Sequence, residues 1–204
     1  MCLAVAKNQV KHVLLLSSIG AHLTEGAGVV QGLSDAEIYF RDLNATNVLN
    51  LRPAYFMENT LGQVSMIKNM GFMGSPIRGD LKLPMVATAD ISKTAAKYLG
   101  ELSFTGNSVK YVLGSRDISY DEIAAILSGV LGKEIKYVTF PYADAIKGMM
   151  QMGWSEEIST LMTDLAKAIN ENLVQDVIIR NAENTTATSY EEFAHIFKAV
   201  FDKS

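Results

Sequence analysis

The apolar run Val13-Leu14-Leu15-Leu16, closed by Ser17-Ser18-Ile19-Gly20, decides the fold class of this 204-residue chain. A continuous apolar run that ends in turn residues is typical of a strand buried on both faces, as strands of a parallel sheet are. A second such run, Val48 to Leu51, ends at Arg52-Pro53, and a helix predicted from Ser34 to Leu43 connects the two. Strand, helix and strand with short connections form a βαβ unit, which predicts an α/β fold.

Downstream of Pro53 the pattern predicts shorter strands and more helix. Ala54 to Met70 is predicted to be a loop that enters an amphipathic helix, and Gly71 to Pro84 an irregular or hairpin segment. The remaining predicted elements are strands at Met85–Thr88, Val109–Leu113 and Ile135–Phe140, and helices at Ile91–Leu99, Asp121–Leu131, Tyr142–Gln151, Ser155–Asn172 and Tyr190–Phe201.

Capping residues predict where several helices begin. Asp90 is expected to cap the helix that starts at Ile91. Three Ser/Glu pairs have the spacing of a capping box: Ser34 with Glu37, Ser119 with Glu122, and Ser189 with Glu192.

Composition narrows the class of protein. A net charge of −4 and a pI near 5.4, without any basic run, argue against a nucleic-acid partner. No apolar stretch near the start is long enough to span a bilayer, and no signal peptide is readable. The single cysteine, Cys2, suits a reducing cytoplasm, and the three histidines have no metal-ligand spacing. We therefore expect a cytoplasmic protein without nucleic-acid, membrane or metal binding.

The glycine-rich turn that holds a dinucleotide pyrophosphate is not found after any predicted strand. Glycines 26, 28 and 32 come nearest, but they follow Thr24-Glu25 rather than a strand end, so they are not expected to cradle a phosphate. The chain is predicted to be the back part of a larger domain, whether from a truncated gene model, processing or a split protein. An exposed sheet edge is then expected to favour self-association.

Four motifs occur in order along the chain: KHVLLLSSIGA (11–21), LRPAYFMEN (51–59), MVATADI (85–91) and GSRDIS (114–119). This set resembles the NmrA-like family of NAD(P)-binding proteins, within the extended or atypical short-chain dehydrogenase/reductase superfamily. The resemblance implies a partial Rossmann-like parallel sheet with a small α/β to α-helical C-terminal substrate domain. Residues 1–60, with 85–113 returning to them, would belong to the NAD(P)-binding domain, and 61–204 to the mostly helical substrate region.

The resemblance also nominates cofactor-binding residues, because in the family two strand ends flank the nicotinamide of NADP or NAD. Ligands of open α/β sheets lie outside the carboxyl ends of strands, and both nominated segments follow such ends. The nominated residues are Ser17, Ser18, Ile19, Pro53, Ala54, Tyr55, Phe56 and Asn59.

Catalytic residues remain unassigned by the sequence. Many short-chain dehydrogenases use a Tyr-x-x-x-Lys pair for proton transfer. Here Tyr39 is followed four residues later by Leu43, and no lysine lies between Lys11 and Lys68. Three interpretations stay open: an NAD(P)H-dependent reductase of quinone-like or other small electrophiles, a non-enzymatic NAD(P) redox sensor or transcriptional regulator with a protein partner, and a truncated fragment that binds no cofactor.

Several other side chains are assigned structural roles. Arg52 is expected to form a buried ion pair or a helix-end contact, and Phe56 and Met57 to be core. The carboxylate pairs Asp35/Glu37 and Glu156/Glu157 are expected to be solvated. The methionines in 66–73 and 149–152 are expected to fill core, with an adaptable pocket as the alternative. Packing between helices is favoured over a hydrophobic lid for Tyr142, Met149, Met150, Met152 and Trp154.

Overall fold

The computed structural model describes residues 1–175 and 177–204. Its strands are β1 (His12–Leu16), β2 (Asn47–Pro53), β3 (Tyr55–Phe56), β4 (Phe72–Ser75), β5 (Leu83–Val86), β6 (Asn107–Val112), β7 (Asp117–Ile118) and β8 (Lys136–Thr139). Its α-helices are α1 (Cys2–Lys7), α2 (Gln31–Arg41), α3 (Val64–Met70), α4 (Thr88–Glu101), α5 (Tyr120–Leu131), α6 (Tyr142–Gln151), α7 (Glu156–Asn170) and α8 (Tyr190–Lys203). Two 3-10 segments, Gly28–Val30 and Met57–Gln63, precede α2 and α3.

The main sheet is parallel and has the strand order β1-β2-β6. Leu14 lies opposite Leu49, and Leu51 lies opposite Lys110, so β2 is paired on both sides. Residues Val48 to Pro53 of β2 are all buried, as a central strand covered on both faces requires. The predicted α/β fold with a Rossmann-like parallel sheet is confirmed.

Helix α2 connects β1 to β2, but it begins three residues before the predicted start. The 3-10 turn Gly28–Val30 runs directly into the helix at Gln31. Ser34 therefore lies inside the helix and is buried, and the predicted Ser34/Glu37 capping box is wrong. Glu37 is left free to point at the sheet.

Two smaller sheets flank the main one. β3 pairs parallel to β5, and β7 pairs antiparallel to β5. β4 pairs parallel to β8, with Phe72 opposite Lys136. The hairpin considered for 71–84 does not form, because the partner of β4 comes from a strand some sixty residues later in the chain.

The helix starts confirm two capping boxes and correct one cap. Both bonds of the Ser119/Glu122 and Ser189/Glu192 boxes are present. Helix α4 begins at Thr88 rather than after Asp90, and the carboxylate of Glu58 accepts hydrogen bonds from the Thr88 N–H at 3.0 and 3.1 Å. The buried Asp90 instead accepts a hydrogen bond from the Thr188 N–H.

One contiguous hydrophobic core joins the sheet to the C-terminal helices. It contains Leu51 of β2, Met85 of β5, Ile123 of α5 and Phe197 of α8. Met57 belongs to this core, as predicted. The core packs α5 and α8 against the strands. The loops that follow β1 and β2 therefore extend from a well-packed sheet.

Candidate functional site

The loops after β1 and β2 are held side by side by backbone hydrogen bonds that continue the sheet. The Ser17 N–H donates to the Leu51 carbonyl at 2.8 Å, and the Ile19 N–H donates to the Pro53 carbonyl at 3.0 Å. The structure therefore brings together the two segments that the sequence nominates around the nicotinamide.

Ser17 is committed to a buried network rather than to an open surface. Its hydroxyl donates to a Glu37 carboxylate oxygen at 2.5 Å. Arg52 donates to the two oxygens of the same carboxylate at 2.8 and 2.6 Å, and to the Tyr111 hydroxyl at 3.1 Å. The network ties α2 to β1, β2 and β6, and it already engages the Ser17 hydroxyl.

Glu37 corrects one prediction and Arg52 confirms another. Glu37 was expected to be solvated, yet it is only 8% exposed, because its face of α2 lies on the sheet and Arg52 supplies the counter-charge. The buried ion pair predicted for Arg52 is present. Burial alone would lower the pKa of Arg52, but the hydrogen bond and charge of Glu37 outweigh it and the pKa is raised.

The other nominated residues differ in accessibility. Ile19, Pro53 and Ala54 are buried, whereas Ser18 and Phe56 are half-buried and Asn59 is exposed. Tyr55 lies two residues past β2 and faces a cavity.

The cavity has a volume of about 290 Å³ and predominantly apolar walls. It lies between α6 and α7 on one side and β4 with the start of α3 on the other. Its lining residues are Tyr55, Gly62, Gln63, Met66, Gly74, Ser75, Pro76, Ile77, Phe140, Asp144, Ala145, Gly148, Met149, Met152, Met162, Leu165, Ala166 and Ile169. A concave apolar space with a few polar groups is the usual form of a small-molecule site.

The methionines of 66–73 and 149–152 differ in their roles. Met70 and Met150 are exposed, so the core role predicted for them is wrong. Met73 is fully buried core, as expected. Met66, Met149 and Met152 line the cavity, so for these three the alternative of an adaptable pocket holds. From the group considered as a lid, Tyr142, Met150 and Trp154 are absent from the lining.

Tyr55 and Ser75 are the lining residues that carry a hydroxyl group, and two further tyrosines, Tyr120 and Tyr137, lie close to them. Burial raises the pKa of Tyr55, although the neighbouring Tyr120 and Asn59 side chains oppose that shift. The rings of Tyr120 and Tyr137 stack with centroids 4.7 Å apart, and the Tyr137 hydroxyl donates to the Ile77 carbonyl at 2.7 Å. Tyr55 is therefore a neutral phenol among the residues that line the cavity.

The glycine-rich loop serves helix packing. A Cβ on Gly28 would lie 2.0 Å from the Leu161 carbonyl oxygen of α7, so only glycine allows this contact. The surface depression beside the loop is lined by Glu25, Asp35, Asp164 and Glu171 against one lysine, Lys167. These carboxylates would repel a phosphate, in agreement with the expectation for this loop.

Two kinds of feature are absent from the described residues, 1–175 and 177–204. No group of three or more His, Cys, Asp or Glu side chains is placed to hold a metal ion. In the same part of the chain, no helix is both long and apolar enough to cross a membrane.

Asp144, Ala145 and Gly148 of α6 are cavity-lining residues that the sequence did not single out, whereas Met149 was named. Asp144, Ala145, Gly148 and Met149 lie on one face of the helix at spacings of one, four and five residues. This periodicity predicts an apolar face, but the space in front of it depends on how α7 and β4 pack, which periodicity does not encode.

Several known proteins resemble this chain in sequence or in fold. Festuclavine dehydrogenase from Aspergillus fumigatus is 35% identical over 136 residues, which are 66% of this chain and 44% of that protein. An NAD(P)H azoreductase from Xenophilus azovorans is 24% identical over 94% of this chain and 67% of its own. An NADPH-dependent quinone oxidoreductase from Escherichia coli has a similar fold, with a TM-score of 0.77 at 20% identity over 96% of this chain and 71% of that one.

The chain thus spans less than half of the Aspergillus protein and about two thirds of the Xenophilus protein. The family model that matches, described as the NmrA-like family, covers residues 37–197. This range includes the buried Glu37, the second strand-end segment, the cavity and most of α8. The chain belongs to the NmrA-like family.

Proposed function

We propose that this chain forms the substrate-binding side of an NAD(P)H-dependent reductase that acts on small apolar electrophiles such as quinones. The observation that carries the proposal is the position of Tyr55. This residue follows the end of β2, beside which the family places the nicotinamide, and its side chain lines the cavity. A substrate in the cavity would therefore lie next to the reacting end of the cofactor.

The names of similar proteins support this assignment. An azoreductase, a quinone oxidoreductase and a clavine dehydrogenase are all named for redox reactions. The chain corresponds to only part of each of these proteins, so the activity of the whole protein is a proposal for this chain.

The described residues fit one end of an NADP or NAD molecule. Ser18 is half-buried beside the strand ends, and its hydroxyl forms no hydrogen bond within residues 1–175 and 177–204. Phe56 offers a half-buried aromatic face nearby. The acidic depression at Gly28 does not fit the pyrophosphate, so we assign only the nicotinamide end to these residues.

The available side chains suit direct hydride transfer. The cofactor, when bound, supplies the hydride. The chain contributes an apolar space that keeps water away, and Tyr55 is a neutral hydroxyl at its wall that can donate a hydrogen bond to a carbonyl oxygen. The missing Tyr-x-x-x-Lys pair is compatible with acceptors that need little acid–base assistance.

A pair of glycine replacements tests whether the cavity is the substrate site. Gly148 lines the cavity, and an added Cβ there meets nothing within 4 Å. Gly129 in α5 is equally open but is exposed and away from the cavity. We expect Gly148→Met to weaken binding of menadione at least tenfold and Gly129→Met to leave it unchanged, by titration calorimetry. Equal menadione affinity in both variants would refute the assignment.

The cellular location is also proposed from composition. A single cysteine suits a reducing compartment, so we place the protein in the cytoplasm. Fractionation of cells that express a tagged full-length protein would test this assignment.

A further inference from the structure

We propose that Gln63 determines the substrate preference of the cavity, by donating a hydrogen bond from its side-chain amide to an oxygen atom of the bound molecule. The preferred substrates are neutral carbonyl compounds that are otherwise apolar, rather than hydrocarbons or carboxylates. This inference rests on the proposed function, and it names the substrate class and a specificity-determining residue for the same site.

The Gln63 amide is held in one orientation by the backbone of β4. Gln63 is the residue that precedes α3, and its Oε1 atom accepts a hydrogen bond from the Gly74 N–H at 3.0 Å. A backbone N–H can only donate, so the amide oxygen must face Gly74 and the Nε2 group must point elsewhere. The direction of the Gln63 N–H bonds is therefore set by this contact.

The position of Gly74 is itself fixed by the neighbouring strand. Gly74 lies opposite Val138 in the parallel ladder between β4 and β8. A Cβ atom on Gly74 would lie 2.6 Å from the Val138 carbonyl oxygen and 2.6 Å from a ring carbon of Phe140, so glycine allows this close approach. Because the sheet fixes the partner of Oε1, the amide needs little reordering when a ligand binds.

The donor side of the Gln63 amide is unused. Within residues 1–175 and 177–204, the Nε2 group has no hydrogen-bond acceptor. It is also not among the buried, unpartnered polar atoms of those residues, so it remains accessible. Gln63 lines the cavity, and an occupant can therefore reach this group. An occupant that covered Nε2 without offering an acceptor would leave the N–H groups unpaired, which lowers affinity.

The hydroxyl of Ser75 on the same wall has no proton to offer. The Tyr137 hydroxyl donates its proton to the Ile77 carbonyl at 2.7 Å. The Ser75 hydroxyl, 2.5 Å from the Tyr137 hydroxyl, must therefore use its own proton in that bond. Among the neutral lining side chains that the structure describes, Tyr55 and Gln63 are left as the donors.

The lining favours a neutral acceptor over an anion. None of the described lining residues is a lysine, an arginine or a histidine, so a carboxylate would enter predominantly apolar walls without a counter-charge. A carbonyl oxygen accepts a hydrogen bond without carrying a full charge. It is therefore the acceptor that a neutral amide donor in such surroundings suits best.

Two probes that differ by one carbonyl group test the inference on this chain without any turnover. The probes are 1-tetralone and tetralin, which have the same fused-ring skeleton. We expect equilibrium dialysis to show that the unaltered chain binds 1-tetralone about tenfold more tightly than tetralin, because one additional hydrogen bond corresponds to roughly that ratio.

The decisive variant is Gln63→Glu, with Gln151→Glu as the matched control. The new carboxylate at position 63 keeps an oxygen for the Gly74 N–H but has no N–H to donate. Gln151 is exposed at the end of α6 and does not line the cavity, so its replacement adds the same charge elsewhere. Gln63→Glu should abolish the preference for 1-tetralone, and Gln151→Glu should preserve it.

An uncharged variant separates the loss of the donor from the added charge. Gln63→Met has a side chain of similar length without a donor, so it should abolish the same preference. It also removes the bond to Gly74, and its thermal unfolding midpoint should therefore fall. The ratio of the two affinities is the informative quantity, because a residue that only joined α3 to β4 would change both affinities by the same factor.

An unchanged affinity ratio in Gln63→Glu and Gln63→Met would overturn the inference. So would a preference that is lost in Tyr55→Phe and kept in Gln63→Glu, or a failure of 1-tetralone to bind. The proposed function fails separately. A preference that depends on Gln63, without NADPH-dependent reduction of menadione by a longer chain, would leave the binding site correct and the reductase assignment wrong. Reduction of menadione with equal binding of the two probes would leave the reductase assignment correct and the role of Gln63 wrong.

Discussion

Glu37 of α2 and Arg52 of β2 form a two-point ion pair in which each residue is only 8% exposed. The pair fixes the helix that connects the first two strands, and the Ser17 hydroxyl joins it from β1. The ends of β1 and β2 border the proposed cofactor site. They are therefore held in place by this ion pair as well as by the backbone hydrogen bonds between the two strands.

Removal of one member of this pair should be strongly destabilising. Arg52→Met would leave the Glu37 carboxylate buried without its counter-charge, and we expect it to lower the free energy of unfolding by about 3–5 kcal/mol. The double variant Glu37→Leu/Arg52→Met should lose much less. Urea unfolding followed by circular dichroism measures both, and a single variant that lost no more than the double one would contradict this view of the pair.

The carboxylate of Glu122 should make the free energy of unfolding depend on pH in the acid range. The hydrogen bond from Lys82 and the Ser119 N–H lower its pKa from 4.5 to about 2. Because the pKa of Glu122 is lower in the folded than in the unfolded chain, the ionised carboxylate stabilises the fold at pH values above about 4.5. This contribution is lost as the pH falls from about 4.5 to about 2. Because the Glu122 side chain is 36% exposed, solvent screens the charge and the effect should be modest.

Unfolding at a series of pH values in Lys82→Gln tests this assignment. The variant should show a shallower loss of stability across the acid range than the unaltered chain. Identical slopes would show that Lys82 does not hold the pKa of Glu122 down.

Gly28→Ala should destabilise the contact between the glycine-rich loop and α7. The new Cβ would lie 2.0 Å from the Leu161 carbonyl oxygen, and the residue has a φ of +54°. Gly26→Ala is the control, because Gly26 has a φ of +77° but open space around it. Thermal melts should show a loss of about 1 kcal/mol for Gly26→Ala and clearly more for Gly28→Ala. Equal losses of stability in the two variants would mean that the close contact with α7 adds nothing to the cost of the positive φ.

The unpaired edge of β1 should favour self-association of this chain. In the described residues β1 pairs only with β2, and Leu16 is 52% exposed. Exposed strand edges pair with other chains, and charged residues discourage this. We expect size-exclusion chromatography to show concentration-dependent species larger than a monomer, which Leu16→Lys reduces. A compact monomer at every concentration would contradict this prediction.

Short stretches of sequence correctly predicted the features that neighbouring residues determine, namely strands, helix starts and family motifs. The apolar runs before Ser17 and Arg52 predicted the parallel strands, and the spacing of Ser119 to Glu122 and Ser189 to Glu192 predicted two helix starts. The four motifs predicted the family. Each of these features is encoded within a dozen residues.

Features that depend on distant contacts were mispredicted or missed. Glu37 looks like a solvated residue until Arg52, fifteen positions later, is placed opposite it. Helix α4 begins at Thr88 because Glu58, thirty residues earlier, caps it. The cavity depends on how α6, α7 and β4 meet, so the position of Asp144 on its wall has no local signature.

The most direct test of the reductase assignment is the oxidation of NADPH by a longer version of this protein that includes an upstream strand, glycine-rich turn and helix. The absorbance of the reduced nicotinamide would be followed with menadione as the acceptor. We expect menadione-dependent oxidation that Gly148→Met suppresses and Gly129→Met preserves. Tight NADPH binding without oxidation by menadione would contradict the account and identify a cofactor-binding sensor instead.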